Sequence, residues 1–373
     1  HHSSSLVNVA AVIDEKKQME VVEKLPFVNS VKFVGKYLTR PPRMRQPLPL
    51  DTLMGPIDPA QYYGRGKLQI EILNGDKLHE RGFRGKGKLI AVLDGGFFQL
   101  DSLPFFDSLR INGRILGSRD FVEGDSLATE GSAHGTQVLS TMGANIPGLL
   151  VGTAPDADYL FLKTEDTRAE YLIEVCNWVA GIEYADSLGI DIVTSSLGYN
   201  QFSDKEMNYR YKEMNGISTL AALAADIGFN KGMIVLTSAG NEGHTRWKYI
   251  DSPADAVNIL AIGAIDDELK RAYFSSIGPT ADGRLKPEIV ALGMQVSVAA
   301  LNSVRTSIEN GTSLSTPIIS GLIASLWQAY PEKSNKEIIR AVFRSASQFD
   351  NPDNQLGYGI PDFEKAFFLL QGN

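Results

Sequence analysis

Short apolar runs alternate with longer amphipathic segments over most of the chain after residue 87. Such runs are typical of strands buried on both faces of a sheet, and apolar residues recurring every three or four positions are typical of helices. Because strands that alternate with helices form a mostly parallel sheet covered on both faces, we predict an α/β three-layer sandwich. The pattern predicts strands at Lys88–Leu93, Tyr159–Lys163, Ile190–Ser195, Met233–Ser238 and Ile259–Ile265, and helices at His134–Met142, Glu170–Ser187 and Ser218–Asn230.

The N-terminal residues show a different pattern. Leu6–Ile13 alternates like a strand, a helix capped by Asp14 can run to Leu25, and Val28–Leu38 resembles a second strand. The proline-rich stretch Pro41–Pro49 follows, and it cannot pair as a central strand. We therefore predict a small α+β piece over residues 1–45, a linker over 46–60 and one large domain over 61–373.

Composition and charge exclude several classes of function. The net charge is −8, and no run of Lys or Arg is long enough to follow a phosphate backbone, so we expect no nucleic-acid partner. No apolar run approaches the roughly 18–20 residues that span a bilayer, and this chain shows no signal-peptide pattern. The single cysteine, Cys176, lies in an apolar helical stretch and is expected to be a buried structural thiol.

Three short segments carry the candidate chemistry. They place Asp94 after a predicted strand, His134 at the start of a predicted helix, and Ser313 at the start of another helical run. A serine hydroxyl becomes a nucleophile when an imidazole removes its proton and a buried carboxylate orients that imidazole. The chain order Asp, His, Ser is that of subtilisin, whereas chymotrypsin and the α/β-hydrolases have other orders.

A fourth residue completes this chemistry. Asn241 follows the buried strand Met233–Ser238 and is flanked by Gly240. Its side-chain amide can donate a hydrogen bond to the oxyanion of a tetrahedral intermediate, alongside the backbone N–H of Ser313. Each of these residues alone is common in turns and at helix starts, but their coincidence in one order favours catalysis.

The region from about Tyr63 to Phe367 resembles the subtilases, the subtilisin-like serine peptidases, in these segments and in its closing turn Tyr358–Asp362. The resemblance implies a subtilisin-like fold and the hydrolysis of protein or peptide substrates through an acyl-enzyme on Ser313. It also implies a secreted, periplasmic or cell-surface location. By resemblance, the orienting acid, the base and the oxyanion donor are Asp94, His134 and Asn241.

Two further features follow from the same resemblance. The segment Ser196, Leu197 and Gly198, here called the 196–198 segment, matches the family segment that pairs with the substrate backbone, and Gly240 is expected to bind substrate as well. Val7–Lys36 is similar to the second half of the subtilase propeptide. We therefore expect the chain's own N-terminal piece to be a partner of its catalytic domain.

The segment between Met142 and Gly152 departs from the family pattern. It stands where subtilases often carry a high-affinity calcium loop, but it offers one side-chain oxygen, from Asn145, and no carboxylate. Calcium normally takes six to eight oxygen ligands. We therefore predict no metal ligands and no required cofactor, although calcium binding elsewhere stays open.

A second departure follows the 196–198 segment directly. Residues 199–216 form a stretch longer than its subtilisin counterpart by about a dozen residues, with aromatic side chains at Tyr199, Phe202, Tyr209 and Tyr211. It is either a solvated surface loop or a wall of the substrate pockets.

Three alternatives come from other functional classes. A catalytically inactive subtilase fold could serve as a binding module, but all four chemical residues are present. An α/β-hydrolase esterase requires a Gly-x-Ser-x-Gly turn, and the segment Gly311–Ser315 lacks the second glycine. A nucleotide-binding protein requires a glycine-rich fingerprint between a strand and a helix, which this sequence lacks.

Overall fold

The computed structural model describes residues 2–4, 7–12, 19, 21–35 and 58–372. The strands are β1 (His2–Ser4), β2 (Val9–Ala11), β3 (Leu89–Asp94), β4 (Ile115–Asp120), β5 (Asn145–Ile146), β6 (Leu150–Val151), β7 (Asp158–Lys163), β8 (Ile192–Ser195), β9 (Ile234–Ser238), β10 (Leu260–Ile265), β11 (Ile289–Leu292), β12 (Val296–Ala299) and β13 (Thr306–Glu309). The α-helices are α1 (Lys67–Glu71), α2 (Asp76–Glu80), α3 (Asp107–Ile111), α4 (His134–Gly143), α5 (Leu172–Ser187), α6 (Leu220–Asn230), α7 (Thr312–Ala329), α8 (Asn335–Ser345) and α9 (Phe363–Gln371).

Seven strands form one sheet in the order β11-β10-β9-β8-β3-β7-β4, and each neighbouring pair is parallel. The predicted α/β fold with a mostly parallel central sheet is therefore confirmed. The five predicted strands correspond to β3, β7, β8, β9 and β10. The two edge strands were not predicted: β4 is half-exposed and polar, and β11 follows β10 with no helix between them, so it departs from the alternation of strands and helices.

Alternate residues of the sheet enter two separate hydrophobic cores. Ile90 and Val92 of β3 point to the face covered by α4 and α7, whereas Ala91 and Leu93 point to the face covered by α5 and α6. Both faces of the sheet are buried, which explains why these strands are continuously apolar instead of alternating between apolar and polar residues. The carboxyl ends of the strands meet at one edge of the sheet, where polar side chains can gather.

Helix α7 is the central helix of the domain. Fifteen of its 18 residues are buried, and it packs on the same sheet face as α4. Because the helix is held on all sides, its first turn has a fixed position relative to the ends of β8 and β9.

The N-terminal piece lies against α5. Strands β1 and β2 form an antiparallel hairpin, and Val7 and Val34 pack on the core that α5 covers. In the predicted helix from Asp14 to Leu25, residues 19, 21 and 22 are helical, residues 23–25 form turns and a bend, and 14–18 and 20 lie outside the described residues.

The second predicted strand, Val28–Leu38, is wrong for its described part. Residues 28–35 form no strand, because their backbone pairs with no strand among the described residues. The Val34 carbonyl instead accepts a 2.5 Å hydrogen bond from the Ile173 N–H, in the first turn of α5. Residues 36–57 lie outside the described residues. They include the proline-rich stretch and all of the predicted linker 46–60 except its last three residues, which lead into a short 3₁₀ helix at Pro59–Gln61.

Two segments that depart from the subtilase pattern are ordered parts of the fold. Residues 145–151 form the β5–β6 hairpin, in which the Asn145 amide donates a 3.1 Å hydrogen bond to Ser108 Oγ. In the stretch 199–216, Tyr199 and Phe202 are buried in the core under α5 and α6. These two rings therefore fill the interior instead of lining an open pocket.

Within the described part of the chain, no helix has the length and apolar character needed to cross a membrane.

Candidate active site

Asp94 ends the central strand β3 and is only 1% exposed. Its Oδ1 accepts a 2.8 Å hydrogen bond from the Gly95 N–H, and both carboxylate oxygens lie 2.9 Å from His134 Nδ1. The carboxylate is therefore buried and bound to the Nδ1 edge of the imidazole.

His134 is the first residue of α4, where the Ser132 hydroxyl accepts from its backbone N–H at 3.0 Å. Its imidazole is 39% exposed, so one edge faces solvent. The charge of Asp94 raises the pKa of His134 above its usual value, and burial opposes this effect only in part. Because Nδ1 donates to the carboxylate, Nε2 is left as the basic atom.

The approach of α4 to β3 depends on a glycine. A methyl group at Gly135 would lie 2.6 Å from the Gly96 carbonyl oxygen and 2.9 Å from the Asp94 Cβ. Any larger residue after His134 would therefore force α4 or the loop after β3 to shift.

Ser313 lies in the first turn of α7 and is joined to Ser196 by two hydrogen bonds. Ser196 Oγ donates to the Ser313 carbonyl at 2.8 Å, and Ser313 Oγ donates to the Ser196 carbonyl at 3.4 Å. The first bond has a local cause: Pro317, four residues on, has no N–H to satisfy that carbonyl within the helix. Among the hydrogen bonds of residues 58–372, none joins Ser313 to His134.

Asn241 follows β9 and is fixed through its side-chain oxygen. Oδ1 accepts from the Thr312 backbone N–H at 2.9 Å and from the Thr312 hydroxyl at 3.0 Å, and no hydrogen bond among the described residues uses the Nδ2 donor. A methyl group at Gly311 would lie 3.6 Å from Ser313 N and 3.7 Å from Asn241 Nδ2. Both nitrogen atoms therefore lie within 4 Å of one point beside Ser313.

Comparison with known proteins agrees with this geometry. A model of the subtilase family matches residues 85–359, which include all four candidate catalytic residues. The chain belongs to the subtilase family. The protein is accordingly a serine peptidase at the level of its family.

Named relatives of this subtilase are themselves proteases. The chain is 28% identical over 302 residues to subtilisin DY of Bacillus licheniformis, covering 80% of this chain and 97% of that protein. It is 30% identical over 290 residues to subtilisin BL of Lederbergia lenta, covering 77% and 93%. The crystal structure of MycP1 from Mycobacterium smegmatis shares the fold, with a TM-score of 0.62, 19% identity, and coverage of 87% and 89%.

The candidate substrate-binding segments of this subtilase lie side by side. Because β8 and β9 are parallel neighbours, the 196–198 segment and Gly240 extend from the same edge of the sheet. The Ser238 hydroxyl donates a 3.4 Å hydrogen bond to the Leu197 carbonyl and joins the two. Ser196 bonds to Ser313, and Asn241, next to Gly240, bonds to Thr312, so both segments lie beside the first turn of α7 and are called the two walls of the candidate substrate cleft below.

Sequence reasoning missed a buried acid between these walls. Asp251 lies in the loop before β10 and is 6% exposed. No sequence motif marks Asp251, because only the folded loop places it next to Gly198 and Gly240.

Three other acids gather near the start of α5. One carboxylate oxygen from each of Glu165, Glu170 and Glu174 lies within 4.8 Å of the others, a spacing that a cation could bridge. Burial raises the pKa of Glu165 to about 8, and Tyr199 donates a 2.6 Å hydrogen bond to it. Protonation of the buried acids lowers the local charge, so the proximity alone does not identify a metal site.

Proposed function

We propose that the protein is a serine endopeptidase that hydrolyses peptide bonds through an acyl-enzyme on Ser313. The observation that carries the proposal is that the nitrogen atoms of two N–H donors, those of Ser313 and Asn241, lie within 4 Å of one point beside the serine. A carbonyl oxygen at that point would develop negative charge as the serine attacks, and both donors would stabilise it.

The proton path follows from the orientation of His134. Its Nδ1 is held by Asp94, so Nε2 would accept the Ser313 proton during attack and later deliver it to the leaving amine. The serine must first turn its hydroxyl from the Ser196 carbonyl, where the bond is long, towards the imidazole. Water would then attack the acyl-enzyme by the same route.

Three further proposals concern the N-terminal piece, the location of the protein and its need for a cofactor. The N-terminal piece would act as a propeptide remnant that stays bound to α5. The protein would work outside the cytoplasm, as subtilases of this kind do by resemblance. It would require no cofactor, since the β5–β6 hairpin offers no carboxylate.

A fluorophosphonate probe tests the central proposal. We expect it to label Ser313, and we expect Ser313→Ala to abolish both labelling and peptide cleavage while the protein stays folded by circular dichroism. A folded protein that neither reacts with the probe nor cleaves casein would be a subtilase-fold binding module. Full peptidase activity in Ser313→Ala would show that another residue is the nucleophile.

A further inference from the structure

The buried acid Asp251 is wedged between the two walls of the candidate substrate cleft. A methyl group at Gly198 would lie 3.4 Å from Asp251 Oδ2, and a methyl group at Gly240 would collide with the same oxygen. Asn200, two residues beyond Gly198, donates a 2.5 Å hydrogen bond to Oδ1. The absence of side chains at both glycines therefore lets the carboxylate reach the space between the walls.

This space lies on the acyl side of the proposed scissile bond. A substrate carbonyl held by Asn241 and Ser313 would sit directly beside Gly240, the residue before Asn241. The hydrogen bonds between Ser196 and Ser313 place the other wall next to the same carbonyl. The side chain of the residue that contributes this carbonyl would thus enter between the walls and meet Asp251.

No cationic side chain pairs with Asp251 among the ion pairs of the described residues. The side-chain N–H groups of Asn200 and Trp247 favour its charged form, but the charges that act on it, those of Glu242 and Asp255, are both acidic. Arg246 and Lys248, on the same loop, are exposed, and the Lys248 ammonium lies 5.1 Å from the centre of the Tyr249 ring.

A bound cation would stabilise the ionised form of this carboxylate. Burial and Glu242 raise the pKa of Asp251 to about 8. A buried acid without a counterion is costly to ionise, and a bound cation in contact with it recovers much of that cost. In trypsin, a buried aspartate in the pocket for the residue whose carbonyl is attacked sets the substrate specificity.

We propose that Asp251 selects substrates with Lys or Arg as the residue whose carbonyl is attacked. This inference rests on the proposed function and adds the substrate class to it. The ammonium or guanidinium group would contact the Asp251 carboxylate, and its methylene groups would lie along the glycine walls.

Matched peptide substrates test the proposal. Two peptides that differ only in Lys or Met at this residue have side chains of similar length, so the ratio of their kcat/KM values isolates the charge. We expect the native protein to prefer Lys, and Asp251→Asn to lower the ratio about 100-fold or more while keeping the acceptor for Asn200. We also expect the native ratio to rise with pH through about 8, as Asp251 ionises.

Asp255→Asn is the control. Asp255 is a buried acid on the same loop, but its Oδ2 accepts a 2.7 Å hydrogen bond from the Gly216 N–H, away from the cleft. This variant should keep the preference for Lys, and the ratio should rise at a slightly lower pH, because the charge of Asp255 contributes to the raised pKa of Asp251. If Asp251→Asn does not fold, the residues at which the native protein cleaves a peptide library test the preference for Lys or Arg by themselves.

The outcomes separate this inference from the proposed function. Cleavage without preference for Lys or Arg, or an unchanged ratio in folded Asp251→Asn, would overturn the role of Asp251 and leave the peptidase assignment standing. A native protein whose Ser313 does not react with a fluorophosphonate, and which cleaves neither peptide, would overturn both.

Discussion

Replacing Asp94 with asparagine removes the charge that faces His134 but keeps the size of the side chain. In the native protein both carboxylate oxygens lie 2.9 Å from Nδ1, and the carboxylate is buried. During catalysis this charge would stabilise the imidazolium that forms as Ser313 gives up its proton. The substitution therefore tests whether the contact between the two residues serves catalysis or only packing.

The size of the effect can be worked from the distance. Two unit charges 2.9 Å apart interact by about 6 kcal/mol at an effective permittivity of about 20. Solvent at the exposed edge of the imidazole reduces this value, so we expect a loss of about 4–5 kcal/mol in the transition state. At about 1.4 kcal/mol per tenfold change, kcat should fall about 10³- to 10⁴-fold.

The assay is the pH dependence of kcat/KM on a peptide anilide. Since Asp94 raises the pKa of His134, the native acid limb should lie above pH 6.5, and Asp94→Asn should move it to lower pH. Glu309→Gln is the matched control, because Glu309 raises the same pKa less than Asp94 does. It should shift the limb slightly and leave kcat nearly unchanged. A loss of less than tenfold in folded Asp94→Asn would refute this reasoning.

Three further predictions concern neighbouring groups. Asn241→Leu should lower kcat about 10²- to 10³-fold with little change in KM, a loss whose reference value comes from a subtilisin; equal activity would remove Asn241 from the oxyanion site. Gly135→Ala should cost about 1–3 kcal/mol of unfolding free energy in urea denaturation, because its methyl group would clash with the Gly96 carbonyl; native stability would contradict this clash. The raised pKa of Glu165 keeps its proton bound in the folded state, while the unfolded chain loses that proton. The native protein should therefore lose stability as pH rises from 4.5 to 8. Glu165→Gln should make the fall of Tm over this range smaller. An unchanged slope would contradict that pKa.

The central sheet could be predicted from the sequence because its strands are buried on both faces and therefore continuously apolar. The half-exposed β4 lacks such an apolar run. Residues 28–35 have the sequence pattern of a strand but pair with no strand among the described residues. Alternation alone cannot tell whether a partner strand exists.

The candidate triad could be found because each of its residues lies in a recognisable local motif at a strand end or helix start. Asp251 could not, because its position depends on two glycines, Gly198 and Gly240, that are distant from each other in sequence. Likewise, the aromatic residues Tyr199 and Phe202 were expected at the surface or in a pocket wall, and only the fold shows that they fill the core.

Trapping of the acyl-enzyme tests the central claim most directly. The native protein would be mixed with a slowly deacylating ester, quenched in acid, digested, and analysed by mass spectrometry. We predict a burst of product equal to the enzyme concentration and an acyl group on the peptide that contains Ser313, with neither in Ser313→Ala. Turnover without a burst, or an acyl group on any other residue, would contradict the account.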